Sequence, residues 1–403
     1  MALGLRRPTP QLRSPGQVAI GLAALSEAMV APGRHRDWGG NGWRIKAGSM
    51  IESGEKGARV LICCAEFHGY HNIFKAAFER SGYRCELFDE RDCANSTSKA
   101  LTRLNLRQRF PWAMRAYRAK LVRRAREFRP DVIIVITPEM IDPRAVQALR
   151  AAAPGARIIL YMWEALLRKP KGIALIDMVD AAFSYDPLDC EVVPGLQFLP
   201  LFHTLGDVPS ISESGAGHDV VFIGSVQFAR LQALATISKT IARQGRRGFF
   251  FLYAPTLIHW GIFAIAARTL GFRGRISRKQ IPHREYLRLH DEARCVIDIQ
   301  RGTQSGLALR SLDAIFAGRP LLTTNKLIRR YDFFDKAPVG VFSPTDDVLT
   351  FPDTSDDLWP DAELHDRYSL SSWVAILMGR RAPGAYFLPP KPGRIADAEL
   401  SLA

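Results

Sequence analysis

The chain has 403 residues, 47% of them hydrophobic, so it can bury sizeable cores in two domains plus a tail, and it reads as globular. Lys and Arg number 55 against 40 Asp and Glu, a net charge of +15 that favours polyanionic partners: nucleic acid, anionic lipid headgroups or phosphorylated substrates. The cysteines form no C-x-x-C pair and no zinc spacing with histidines, which excludes a zinc-finger framework and reads as reduced thiols in the cytosol.

Residues 1–49 mix Pro, Gly and Arg without a repeat, and the weakly apolar run 18–31 is interrupted by Glu27, which argues against a signal peptide. Met50 stands just before the first clear strand, so residues 1–55 are read as a disordered or mis-annotated extension, outside the fold. From Arg59, short apolar runs alternate with segments of helical period, the pattern of a parallel sheet wrapped by helices. Residues 59–64, 84–88, 131–136, 157–161 and 181–184 are predicted strands, and a long helix is predicted over 98–128.

This first Rossmann-like domain spans 56–205, and 206–217, rich in Gly, Ser and acids, is the linker. The pattern restarts with strands at 218–223, 248–253, 294–299 and 320–324, and helices at 227–243 and 307–317. These make a second domain over 218–345, followed by a C-terminal helix (361–378) and tail within 346–403. The run 249–272 comes nearest to a membrane span but is broken by Pro255, His259 and Arg268, and reads first as a buried strand and helix, second as an interfacial helix. The predicted fold class is α/β, two Rossmann-like domains facing each other across a cleft.

Asp298-Ile-Gln-Arg-Gly-Thr-Gln304-Ser305-Gly306 is a buried strand ending in a small-residue loop that opens a helix. Backbone N–H groups at such a helix start, with the macrodipole, suit a diphosphate. Arg310 and Asp313 share a face near that start, where a cation can neutralise phosphate and a carboxylate can accept from ribose hydroxyls. On residue pattern alone they read first as an ordinary ion pair on a core helix. Gly224-Ser225, with Arg230 on the next helix, repeats the strand, small loop and helix arrangement, although a tight βα turn needs glycine with or without a ligand.

The run from Ser305 through Arg310, Asp313 and Gly318-Arg-Pro320 to Asn325 resembles the donor-site segment of bacterial GT-B glycosyltransferases of surface polysaccharide synthesis, capsule and lipopolysaccharide included. There an Arg and an acidic residue precede a Gly-Lys/Arg-Pro turn. Phe183-Ser-Tyr-Asp-Pro-Leu-Asp189 with Phe198-Leu-Pro-Leu-Phe202 is similar to the end of the N-terminal domain in the same enzymes, so the resemblance covers about residues 60–325. It implies a nucleotide-sugar donor whose phosphates meet Gly224, Ser225 and Arg230 and whose ribose is held by Asp313, an Asp where the family usually has Glu. It also implies a base pocket lined by residues 253–255, Tyr253 included, and 281–283. No metal or cofactor is expected, and the sequence has no Asp-x-Asp motif.

Sugar transfer needs a stabilised diphosphate leaving group and, for inversion, a general base. Glu66 and His68, in the loop after the first strand, lie where open α/β sheets bind ligands, and Asp186 is a third candidate base. Each has a plainer reading: Glu66 and His68 as polar loop residues, Asp186-Pro187 as a turn initiator. Arg103, Arg107, Arg115, Arg118, Arg123 and Arg124 belong to a basic run interleaved with Trp112, Tyr117 and Phe128. That run suits an anionic membrane surface or a phosphorylated glycolipid acceptor, and with no nucleic-acid motif present, nucleic acid is not expected. The function expected is a cytoplasmic glycosyltransferase, peripheral at the inner membrane face, acting on a saccharide or glycolipid acceptor. The rivals are a nucleotide-sugar epimerase on the same fold and a non-catalytic binder of anionic lipid or nucleic acid through residues 103–129.

Overall fold

The computed structural model describes residues 57–66, 69–91, 111–205, 217–352, 354 and 358–389. The chain divides into two compact units, the first taking the described residues up to Pro200 with Val374–Pro383, the second Leu201–Trp373 with the described residues from Gly384.

The first unit runs β1 (Arg59–Cys64), α1 (Tyr70–Arg80), β2 (Arg84–Asp89), α2 (Pro111–Phe128), β3 (Val132–Ile136), α3 (Pro143–Ala152), β4 (Arg157–Met162), a 3₁₀ segment (Pro170–Met178), β5 (Ala181–Ser184), α4 (Pro187–Val192) and β6 (Gln197–Phe198). Its six strands are all parallel, in the order β2-β1-β3-β4-β5-β6. Every residue of Val-Ile-Ile-Val-Ile in β3 is buried, as expected of a central strand covered by helices on both faces. On α2, Met114, Tyr117, Leu121 and Ala125 recur at helical spacing and pack into the core, where Tyr117 meets Phe88 edge-on at 5.8 Å. Asp142 caps α3 by accepting from the Ala145 N–H at 2.7 Å, with Pro143 preset for the first turn. The returning segment joins this unit through Arg380, whose guanidinium lies 5.5 Å from the Tyr83 ring centre.

The second unit runs β7 (His218–Ser225), α5 (Phe228–Arg243), β8 (Gly248–Tyr253), α6 (Leu257–Leu270), β9 (Arg275–Ser277), α7 (His283–Asp291), β10 (Ala293–Asp298), α8 (Leu309–Phe316), β11 (Leu321–Thr323), β12 (Val339–Val341) and α9 (Ala362–Arg367). A last helix, α10 (Leu370–Leu377), spans the point where the chain passes back to the first unit. The sheet is again parallel, in the order β12-β11-β10-β7-β8-β9. Counted from its first strand this is the 3-2-1-4-5-6 order of dinucleotide-binding Rossmann domains, read from the β9 edge.

Several predicted elements differ in extent. The 307–317 helix is the shorter α8, and 361–378 is two helices separated at Tyr368 and Ser369. The predicted 98–128 helix is present as α2, and residues 98–110 lie outside the described residues. β6, β9, β12 and α7 carry no sequence signal of their own. The strands are two or three residues long, too short for a period, and α7 is mostly charged and polar.

Candidate functional site

In an open parallel sheet, ligands bind beyond the carboxyl ends of the strands where the strand order reverses. In the second unit that point lies between β7 and β10, and in the first between β1 and β3.

At the β7/β10 reversal, two guanidiniums share one aromatic ring. The Arg230 and Arg310 guanidinium carbons lie 5.6 and 4.8 Å from the centre of the Phe222 ring, a cation–π arrangement for both cations. Arg230 donates to the carbonyls of Ser225 at 3.0 Å and Ile299 at 3.2 Å, tying together the ends of β7 and β10. Arg310 donates to Asp298 at 2.7 Å, and Asp298 also accepts from the Thr323 hydroxyl at 3.3 Å. Among the described residues, Asp298 is therefore the one carboxylate paired with either of these cations. The Nε atoms of Arg230 and Arg310 are both buried without a hydrogen-bond partner. Burial, then the neighbouring Arg310, pushes the Arg230 guanidinium down to about 9.

Gly224 belongs to the same construction. A Cβ there would sit 3.0 Å from the Phe222 ring and 3.2 Å from the Arg310 guanidinium, so glycine lets the β7 backbone run directly against the cation. Tyr253 is level with Ser225 on the neighbouring strand, its carbonyl accepting from the Val226 N–H at 2.9 Å. In the loop from β10 to α8, the Gln304 carbonyl accepts from the Gln300 side chain and the buried Ser305 carbonyl from Asn325 Nδ2 at 3.1 Å. Gly306 completes the turn, and α8 begins after Ala308 with no side-chain cap, so its first N–H groups lack intrahelical acceptors. Gly224, Ser225, Arg230, Tyr253, Gln304, Ser305, Gly306 and Arg310 thus gather at one end of the sheet.

Asp313 is placed differently. Arg310 and Asp313 do not pair with each other, which corrects the ion-pair reading. The fully buried Asp313 carboxylate accepts from the Thr204 N–H and hydroxyl through one oxygen and from the Tyr286 hydroxyl at 2.9 Å through the other. It fastens the chain at Thr204 and helix α7 to α8, and burial pushes it up to about 6. Beside it, His290 is buried with neither ring nitrogen hydrogen-bonded, 4.2 Å from the Tyr286 ring, and is pushed down to about 3 by burial and by Arg310.

In the first unit, Glu66 follows β1 with an exposed carboxylate 3.5 Å from His71 Nε2, and its N–H donates to Asp89. His68 lies outside the described residues. Asp186 is buried and caps α4, accepting from the N–H groups of Leu188 and Asp189 at 3.2 and 3.4 Å, which is the turn-initiating role its Asp-Pro sequence offers. Sequence reasoning did not single out Glu139, which pairs with Arg91 and Lys169 after β3, nor Thr137, held at φ 46° at the end of that strand. Strain of this kind gathers at working sites. Of the basic run, Arg103 and Arg107 lie outside the described residues, Arg118 pairs with Asp142, Arg123 with Glu127 and Arg124 with Glu86, while Arg115 is exposed. Among the described residues, no group of three or more His, Cys, Asp or Glu could hold a metal, and no helix is long and apolar enough to cross a membrane.

Two Rossmann-like units in tandem are the domain pair of the GT-B architecture. No family model and no curated protein matches the chain. Among solved structures it is similar to AviGT4, a glycosyltransferase involved in avilamycin A biosynthesis, at 13% identity and a TM-score of 0.48 over 80% of this chain and 98% of that one. It is similar to Anabaena HepE in complex with UDP and glucose, at 12% identity and TM-score 0.45 over 80% and 93%. The Methanocaldococcus jannaschii UDP-GlcNAc 2-epimerase, in complex with UDP-GlcNAc and UDP, gives 12% identity and TM-score 0.45 over 80% and 99%. None of these likenesses reaches a TM-score of 0.5, so the architecture rests on the strand orders.

Proposed function

We propose that the chain is a glycosyltransferase whose second unit holds a nucleoside diphosphate sugar, passing the sugar to a saccharide or glycolipid acceptor in surface polysaccharide assembly on the cytoplasmic side of a membrane. One observation carries the reading: two guanidiniums, the buried Arg230 and the partly exposed Arg310, face a single carboxylate among the described residues at the β7/β10 reversal, beside the uncapped start of α8. This is an excess of positive charge in a low-dielectric setting, where a diphosphate would supply the missing anion.

When the bond from the anomeric carbon to the diphosphate breaks, the electron pair stays on the phosphate oxygen. Arg310 and the α8 N–H groups stabilise that growing charge, so they act on the transition state more than on the ground state. Arg230, occupied with two carbonyls, keeps β7 and β10 in register for this and adds its charge. Asp313 serves the donor site by fixing Thr204 and α7 to α8, with a ribose contact requiring release of one of these bonds. Glu66 is the favoured base for the acceptor hydroxyl, being an exposed carboxylate past β1, while Asp186 is engaged in its cap. The exposed Arg115 with the rest of the basic run would serve an anionic glycolipid.

The test is thermal-shift screening of the full chain against nucleoside diphosphates and nucleotide sugars. A ligand at a hundredfold excess over its dissociation constant adds about 2.7 kcal/mol of stability. One nucleotide series should stabilise the parent, and the shift should shrink in Arg310→Lys, which keeps a charge but loses the planar fork. Product analysis with donor alone separates transfer from epimerisation. A folded parent indifferent to every nucleotide would defeat the donor-site reading.

A further inference from the structure

Helix α6 presents an apolar face that nothing among the described residues covers. Phe263, Ala266, Ala267 and Leu270 face the second unit's core, and Trp260 Nε1 donates to the Ile276 carbonyl at 3.4 Å, which ties the helix to β9. On the opposite side, Ile258, Ile262 and Ile265 are 75%, 58% and 71% exposed, and their spacing of four and three residues lines them into one stripe. Leu257, also exposed, stands beside it at the helix start. From Ile258 to Ile265 the stripe runs about 10 Å along the helix, a continuous patch of branched aliphatic surface, not scattered single residues.

The patch has a charged border of one sign. Between Asp219 and Glu285 the sequence contains no acidic residue. Arg268, Arg273, Arg275 and Arg278, at the end of α6 and around edge strand β9, are exposed and have no carboxylate partner among the described residues. The edge of the sheet is therefore cationic next to the aliphatic stripe.

We infer that α6 and the β9 edge form a docking surface for an anionic phospholipid bilayer, the isoleucine stripe entering the headgroup–acyl boundary while the arginines meet lipid phosphates. Apolar burial plus attraction to anionic lipid is the combination that holds an interfacial helix in place. A second copy of the chain would bring like charges together, and a nucleic acid would leave the aliphatic stripe in water. The surface is distinct from the basic run on α2 and does not depend on the glycosyltransferase reading, because its readout is binding to lipid alone.

The experiment is co-sedimentation of the full chain with phosphatidylglycerol vesicles and with phosphatidylcholine vesicles. The parent should pellet with the anionic vesicles only. Ile258→Gln/Ile262→Gln/Ile265→Gln and, separately, Arg273→Glu/Arg275→Glu should each weaken binding by roughly tenfold or more. Because these side chains are exposed the variants keep the fold, checked by an unchanged melting temperature, and Ile262→Ser alone gives a smaller loss in the same direction. Arg115→Glu/Arg123→Glu on α2, the rival basic face, should weaken binding less than either the triple isoleucine or the double arginine variant. The inference is overturned if the parent ignores anionic vesicles, or if the α2 variant abolishes binding that both α6 and β9 variants retain. It is also overturned if the parent is a dimer that the isoleucine variant dissociates without any change in lipid binding.

Discussion

At the scale of single residues, the donor-site candidate is a matter of charge count. Asp298 neutralises only one of two guanidiniums, and its side chain is 3% exposed. Breaking a buried pair by removing one partner leaves an uncompensated charge, at a cost of about 3–5 kcal/mol. Asp298→Asn keeps the shape and an acceptor for Thr323 but removes the charge facing Arg310. It should lower the urea midpoint of the second unit by a corresponding amount, and inorganic pyrophosphate should restore more stability to this variant than to the parent. An unchanged midpoint would mean that water already screens the pair. Part of this site was legible in the sequence and part was not. Arg310 was found because a cation near a helix start has a chemical role whatever surrounds it. Its partner, twelve residues back on a strand, and the Phe222 ring beneath it are tertiary neighbours without a local signal. Asp313 invited a ribose role for the same local reason, yet its partners Thr204 and Tyr286 stand 109 and 27 residues away.

Elements divide along the same line. β1, β3, β4, β7 and β10 were readable because a strand buried on both faces is a run of apolar residues. β6, β9 and β12 were not, since a strand of two or three residues is defined by its neighbours, and the apolar run 249–272 ends before β9 begins at Arg275. The basic run on α2 looked lopsided in sequence because two of its partners come from other elements, Asp142 from the start of α3 and Glu86 from β2, with only Glu127 on the helix itself. Asp142 serves two elements at once, capping α3 through Oδ1 and holding Arg118 through Oδ2. Asp142→Ala should therefore cost about 1–2 kcal/mol, the usual loss for a cap, with the salt bridge adding little because Arg118 and Asp142 remain partly solvated. Comparing Arg118→Ala with Asp142→Ala in chemical denaturation separates the two contributions. A loss from Arg118→Ala as large as that from Asp142→Ala would show that the ion pair, not the cap, carries the effect.

Across the whole molecule, the two units hold buried titratable groups of opposite sign. In the first unit, burial pushes Glu90 up to about 7, and burial with Asp186 beside it pushes Asp189 up to about 8. A carboxyl with a raised folded pKa takes up its proton in the folded state first, so its unit gains stability as pH falls from the folded value toward the ordinary one near 4. In the second unit, burial pushes His203 down to about 4 and His290 to about 3. Those imidazoles stay neutral when folded while the unfolded chain takes up protons below about 6.5, so this unit loses stability over the same pH range. Asp313, raised to about 6, offsets only one of the two histidines. Between about pH 8 and pH 5 each buried histidine contributes a loss of about 2 kcal/mol, and the carboxyls of the first unit contribute a gain of similar order. The units should therefore separate on acidification: calorimetry near pH 5 should resolve a second-unit transition at lower temperature than the first-unit one, closer together near pH 8. His290→Phe fills the same place beside Tyr286 with a ring that cannot charge, and should raise the lower transition near pH 5 while leaving it almost unchanged near pH 8. Equal gains at both pH values would trace the effect to packing, and proton uptake by His290 would then have no part in the acid response of this unit.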